Sequence, residues 1–372
     1  MWKNFLRFLT NMFPILSDAP YAYSKACGII SKSFTGKNYS ALAGIHSLSE
    51  LERLVFPDDK RELPGHELLL DLEHRFVDRA VSQILSIVES YDKPPSLLLN
   101  MLKVYEYSDL KACLNIIASD KEDLSANKEM LASKIPHISD LGSFKTVRFQ
   151  AFPDITAMVS GTEFEFAASD ITGGVDITEI EAKLDMQYYL GLIKSLQELY
   201  AEDRKVAQQI LVDEICLRNC VWAFRLRSYY NKNVDETAKQ LLDINVSAVK
   251  SADTKAAKGR KSHSLAADAL LSLDLPLDTR SSWNGWKWEK LLNPEDPSAH
   301  WSVNPRFFQN AASQYINRLA ARSFHRIPMT TSALFCFIKL KQFEEDLLTS
   351  VAEGLALGMD SAGVFSLLEV SV

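Results

Sequence analysis

The sequence predicts an all-α protein built from three related helical units. One amphipathic segment recurs three times, at Tyr105–Leu114, Glu214–Arg225 and Phe337–Leu348. In each copy an apolar stripe at helical spacing is interrupted by one small polar or acidic group. Only 14 Gly and 13 Pro occur among the 372 residues, which leaves room for long helices. A repeat of this period determines the architecture, because neighbouring units bury one another's apolar faces.

Two further predicted helices precede each of these three segments, which we call the signature helices. The first is short and the second is long and amphipathic, with apolar residues at four-residue spacing. The short helices are predicted at Ser47–Leu54, Ile155–Thr162 and Trp286–Asn293. The long helices are predicted at Leu68–Val88, Thr178–Leu199 and Pro305–Phe324.

Capping patterns mark several of these helix starts. Ser47 with Glu50, and Thr178 with Glu181, have the spacing of a capping box, in which side chains satisfy free backbone N–H groups. Proline is accepted in the first turn of a helix, which suits a start at Pro305. One short strand is predicted around residues 146–152.

The repeats divide the chain into four predicted segments. Residues 1–120 form the first unit together with an N-terminal helix, and residues 121–232 form the second. Residues 233–280 form a connecting segment with a basic loop, and residues 281–372 form the third unit.

Composition narrows the function classes. A net charge of −7 disfavours a nucleic-acid partner, which a basic face would serve better. No apolar run reaches the length of about 20 residues that spans a bilayer. Residues 1–13 are apolar but carry Lys3 and Arg7, and we interpret them as a helix docked on the body or lying on a membrane surface. The odd count of five cysteines is typical of free thiols in a reducing cytosol.

Several motifs, in order, resemble the C/d family of V-type ATPase central-stalk proteins. Tyr21-Ala22-Tyr23-Ser24-Lys25 is similar to its opening stretch, and Ser47–Leu54 to its Ser-Leu-Glu-Glu-Leu helix. The remaining matches are Tyr105–Lys111, the Leu-Asp-x-x-Tyr-Tyr pattern from Leu184 to Tyr189, Glu214–Asn219, and the turn at residues 327–334. Cys216 departs from the family's acid and Asp109 from its Asn, and the third signature helix has no Asn at that place.

The resemblance implies three helical lobes arranged with pseudo-threefold symmetry as a funnel, without an active site or cofactor. It implies a central-stalk protein, one copy per complex, on the cytoplasmic side of the membrane as a peripheral protein. Its partners would be the shaft subunits D and F and the membrane proteolipid ring. Rotation with both would couple ATP hydrolysis to ion transport, including hydrogen ion transport, or the reverse process to ATP synthesis.

Candidate partner-binding residues lie in two places. Asn219, like Asp109, either bonds a neighbouring helix end inside the protein or contacts the shaft directly. Arg225 and Arg227 follow it where the family has basic residues. The basic loop adds Lys255, Lys258, Arg260 and Lys261, which either form a solvated loop or contact anionic lipid.

Two clusters each have a structural and a functional interpretation. Cys216 and Cys220 lie one helical turn apart, which fits two core residues better than a metal site, since further ligands at suitable spacing are absent. Trp283, Trp286 and Trp288 with Trp301 are predicted to pack in the core rather than to form an interaction hot spot.

The alternative function for the whole chain is a helical-repeat scaffold or adaptor that binds another protein. A third hypothesis is an enzyme whose active-site residues are brought together only by the fold.

Overall fold

The computed structural model describes residues 18–61, 63–119, 134–245, 264–296 and 300–368, and these residues form helices joined by turns and loops. Thirteen α-helices are described: α1 (18–30), α2 (Leu48–Val55), α3 (Gly65–Val88), α4 (Ser96–Ser119), α5 (Ile155–Val159), α6 (Glu165–Thr172), α7 (Ile177–Leu196), α8 (Ala201–Tyr229), α9 (Val234–Ala238), α10 (Ala267–Leu273), α11 (Pro305–Arg326), α12 (Thr331–Ala356) and α13 (Ser361–Leu367). The described part contains no strand, only an isolated bridge between Asn245 and Ser264. The all-α prediction is therefore confirmed.

Most predicted helices occur where the sequence placed them. The three signature segments lie within α4, α8 and α12, and the long helices correspond to α3, α7 and α11. Ser47 caps α2 by accepting a hydrogen bond from the Glu50 N–H, although the Glu50 carboxylate accepts from His46 rather than from Ser47. Pro305 occupies the first turn of α11, as predicted.

Four local predictions were wrong. The cap of α7 is Asp176, which accepts from the Thr178 N–H, and the helix ends at Leu196 because the backbone tightens into turns there. The helix at 155–162 ends at Val159. Residues 149–151 form a 3₁₀ turn instead of a strand, and in place of a helix at 286–293 only Glu289–Leu291 form a 3₁₀ turn.

The long helices pair with signature helices of other units. Helix α7 packs on α4, α11 packs on α8, and α3 packs on α12. Each long helix thus packs on the signature helix of the preceding unit, and the first unit closes the cycle by packing on the last. The funnel shape with pseudo-threefold symmetry remains a prediction.

Helix α12 is central to this arrangement. It contacts α3, α4, α8, α11 and α13, and every residue from Ser332 to Lys341 is buried. One apolar cluster joins the N-terminal part of the chain to its C-terminal part, because side chains such as Leu51 and Phe76 pack with Leu347 and Val351. Within the described residues no helix has both the length and the apolar character needed to cross a bilayer.

The two discounted clusters lie in the core. Cys216 and Cys220 are buried, which raises the pKa of Cys216 to about 11 and that of Cys220 further. Trp283 is fully buried, with its ring centroid 5.1 Å from that of Trp286 in an edge-to-face contact. The prediction that Cys216, Cys220, Trp283 and Trp286 pack in the core is confirmed.

Close packing of α12 on α13 requires a glycine. A Cβ on Gly354 would overlap the buried side chain of Val364. We expect Gly354→Ala to lower the free energy of unfolding by about 1–3 kcal/mol, because extra volume in a packed core forces neighbours apart. Denaturant unfolding measures this change.

The matched control is Gly191→Ala in α7, where a new Cβ meets open space. We expect this variant to gain about 0.5–1 kcal/mol, since alanine favours the helix interior. Equal effects of the two substitutions would contradict the close approach of α12 and α13.

Candidate partner-binding cavity

A buried hydrogen-bond acceptor on each signature helix anchors a segment that leads to the next long helix. Asp109 of α4 accepts from the backbone N–H of Ser139 at 2.9 Å. Asn219 of α8 accepts from the N–H of Leu242 at 2.8 Å. Glu344 of α12 accepts from the N–H of Phe34 at 2.9 Å. Buried N–H groups need such acceptors, so these bonds fix where each segment lies.

We call these three buried acceptors the anchors. The sequence did not predict the third anchor, Glu344. The third signature helix lacks the Asn, but Glu344 occupies its place and lies three residues after Lys341, as Asp109 lies three residues after Glu106. Lys341 donates to the hydroxyl of Ser33 at 3.2 Å and forms a buried ion pair with Glu344. The signal that could have found it is a buried polar pair at i and i+3 on the apolar stripe.

The side chain of Asn219 is fully used inside the protein. Its Nδ2 donates to the carbonyl oxygens of Leu242 at 3.0 Å and Leu265 at 3.3 Å, and the residue is 1% exposed. Of the two interpretations of Asn219, this geometry matches the internal bond.

A cavity of about 510 Å³ lies where α4, α7, α8, α11 and α12 come together. Its wall carries four acidic and four basic side chains: Glu181, Asp185, Glu214, Asp346, Lys111, Arg218, Arg225 and Lys339. The charges of these side chains therefore sum to about zero.

Two ion-pair groups line this cavity. Asp185 accepts from Lys111 at 2.6 Å and from Arg218 at 2.5 Å, so one carboxylate holds two cations on α4 and α8. Glu214 accepts from Lys339 at 2.8 Å and from the hydroxyl of Tyr189. These groups tie α4, α7, α8 and α12 together, and the bond of Glu214 to Lys339, which is 8% exposed, is the one best shielded from water.

Burial shifts the acid–base behaviour of several groups near the cavity. Burial, followed by the charge of Glu214, raises the pKa of Tyr189, which stays protonated and able to donate. Asp346 is exposed to the cavity, yet the protein around it raises its pKa to about 6, and Lys339 reduces that effect. Burial and the charge of Asp346 raise the pKa of Glu345 to about 8, while a hydrogen bond from Tyr105 reduces it.

The predicted site residues separate in the structure. Arg225 lines the cavity and donates to Gln309 at 2.5 Å. Arg227 donates instead to the carbonyls of Ser272 and Leu275, which anchors the end of α10 on α8. Lys255, Lys258, Arg260, Lys261 and the N-terminal segment 1–13 lie outside the described residues, so their contacts stay predictions. No group of three or more metal-ligating side chains occurs within the described ranges.

The motif residues that carry the family resemblance converge on this cavity. Lys111, Asp185, Tyr189 and Glu214 come from three motifs that are far apart in the sequence, and the structure brings them together. The sequence indicates the motifs but not that they meet at one cavity, because the pairing of helices from different units determines where they lie.

Comparison with known families shows the family to which this chain belongs. Residues 28–363 match the family described as ATP synthase (C/AC39) subunit. The chain belongs to this family of V-type ATPase subunits. It is also similar to an uncharacterised protein of Treponema pallidum (strain Nichols), with 23% identity over 338 residues that cover 91% of this chain and 92% of that protein.

Replacing Asn219 tests the second anchor. We expect Asn219→Leu to lower the free energy of unfolding by about 1–3 kcal/mol, because the Leu242 N–H and two carbonyls lose their partner while buried. Thermal and denaturant unfolding measure the loss. Gln209→Leu, at an exposed position of the same helix α8, is the control with little effect. Unchanged stability with lost assembly would instead favour a direct partner contact.

Asp109 makes the stability of the first anchor depend on pH. Burial raises its pKa to about 6, although hydrogen bonds from Ser139 reduce the shift. The folded pKa exceeds the unfolded value of about 3.9, so the charge costs stability above pH 6 and this cost fades as the pH falls toward 4. Asp109→Asn keeps an acceptor for Ser139 and removes the charge. We expect it to be more stable than the parent by about 1–3 kcal/mol at pH 7.5, and by about a third of that amount at pH 4.5.

Denaturant unfolding at the two pH values measures this difference, with Asp140→Asn at an exposed carboxylate of the same loop as control. A loss of stability at both pH values would mean that the ionised acceptor contributes more than its burial costs.

Proposed function

We propose that this protein is a non-catalytic central-stalk subunit of a V-type ATPase that joins the rotating shaft to the membrane proteolipid ring. One copy sits in each complex, as a peripheral protein on the cytoplasmic side of the membrane. It rotates with both partners and thereby couples ATP hydrolysis to ion transport, or ion flow to ATP synthesis. Membership of the C/AC39 family supports this role.

The central cavity is the observation that carries the proposal. One turn of an α-helix with a pitch of 5.4 Å and a diameter of about 10–12 Å occupies about 400–600 Å³. The cavity of about 510 Å³ is large enough to admit one such turn. We therefore assign it to the end of the helical shaft formed by subunits D and F.

The helix pairing suits transmission of torque. Each long helix packs on the signature helix of another unit, so a force on one unit passes directly into the next. Close-packed side chains are poorly compressible, and the ion pairs of Asp185 and Glu214 add links around the cavity wall. A rotor subunit needs this stiffness, whereas an adaptor that only gathers partners does not.

Filling the cavity tests the proposal. Ser313 lines it from α11 and is exposed, so a large side chain there occupies the space without disturbing the core. We expect Ser313→Trp to lose binding to the co-expressed D and F subunits by about a hundredfold or more, while its melting temperature stays within a few degrees of the parent. Biolayer interferometry with the immobilised D–F pair measures the affinity.

The control is Ser366→Trp, at an exposed position of α13 away from the cavity lining. It should bind as the parent does. If the parent does not bind the D–F pair, the coupling role is wrong and the scaffold alternative gains support.

A further inference from the structure

Most charged groups of the cavity are already paired within the protein. Asp185 is shared by Lys111 and Arg218, and Glu214 holds Lys339, which is only 8% exposed. A partner that competed for Glu214 would leave the buried charge of Lys339 unpaired, which is costly. These paired groups therefore form the wall of the cavity, and the specific contacts to a partner must come from other side chains.

Arg225 and Asp346 differ from these paired groups. Within the described residues Arg225 forms no ion pair, and its hydrogen bond goes to the neutral side chain of Gln309. Asp346 is exposed to the cavity and has no ion pair or hydrogen bond in the described part of the chain. The fourth acid, Glu181, accepts a hydrogen bond from the amide of Asn115. The cavity thus offers one cation on α8 and one anion on α12 to an occupant.

Unsatisfied polar atoms surround the same cavity. Oε2 of Glu214, Oδ1 of Asn317 and Nε2 of Gln342 are buried without a hydrogen-bond partner, and all three residues line it. Asn317 is 8% exposed. Since buried polar atoms normally have partners, these three atoms are available to bond an occupant with polar groups of its own.

We propose that the occupant of the cavity is a helix end that presents a carboxylate to Arg225 and a cationic side chain to Asp346. This inference rests on the proposed function, in which the shaft supplies that helix end. Two opposite charges on two helices fix the rotational position of the inserted end as well as its depth. Charge pairs of this kind determine orientation and partner choice more than total affinity.

Charge reversal tests the pairing. We expect Arg225→Glu and Asp346→Lys each to weaken binding of the co-expressed D–F pair by tenfold or more, measured by biolayer interferometry at 0.15 M salt. Because like charges would then face each other, raising the salt to 0.5 M should recover part of each loss. Circular dichroism melting shows that each variant is folded.

The matched controls reverse exposed charges on α11 and α12 that do not line the cavity, in Arg322→Glu and Glu353→Lys. They should change the dissociation constant by less than twofold. In a second arm, each acidic residue at the shaft end is replaced by lysine in turn, and one of these changes should restore binding of Arg225→Glu but not of Asp346→Lys.

The outcomes separate the two proposals. If the parent protein fails to bind the D–F pair, the proposed function is wrong. If the parent binds and both reversals bind within twofold of it, the charge pairing is overturned while the proposed function stands. A loss in Arg225→Glu that no shaft substitution restores, while the variant melts like the parent, also overturns the pairing.

Discussion

The arrangement of the helices depends on three buried hydrogen bonds, one from each signature helix to the backbone of a segment leading into the next long helix. Asp109, Asn219 and Glu344 differ in chemistry, yet each accepts from a single N–H group at 2.8–2.9 Å. An unmet N–H at these sites would cost as much as a whole hydrogen bond, so the acceptors select one position for each segment. The packing of α7 on α4, α11 on α8 and α3 on α12 follows from it.

The three anchors handle burial in different ways. Asn219 is neutral and satisfies two carbonyls as well as the N–H group. Glu344 forms ion pairs with Lys341 and with Arg79, the latter at 3.5 Å. Within the described residues Asp109 bonds only to Ser139, and burial raises its pKa. An ion needs compensation when it leaves water, so the least compensated anchor is the one that responds to pH.

Closing the cycle also creates the cavity. Helix α12 contacts α4 and α8 while it pairs with α3, and this central position brings Lys339 to Glu214 and places Asp346 at the cavity wall. The ion pairs stiffen the wall, and the cation and anion left over give the interior a polarity that an inserted helix end can match. Rigidity and recognition are therefore provided by different side chains of the same helices.

The sequence by itself determined the all-α class and the order of the long and signature helices, because helix periodicity is encoded within a few residues. Local signals failed where competing partners decided the outcome: Asp176 rather than Thr178 caps α7, and residues 146–147 turn toward Glu106 instead of forming a strand. Only the tertiary structure decided that Glu344 is the third anchor and that Lys111, Asp185 and Glu214 meet around one cavity. These pairings join positions far apart in the chain, and no local pattern records which helix packs on which.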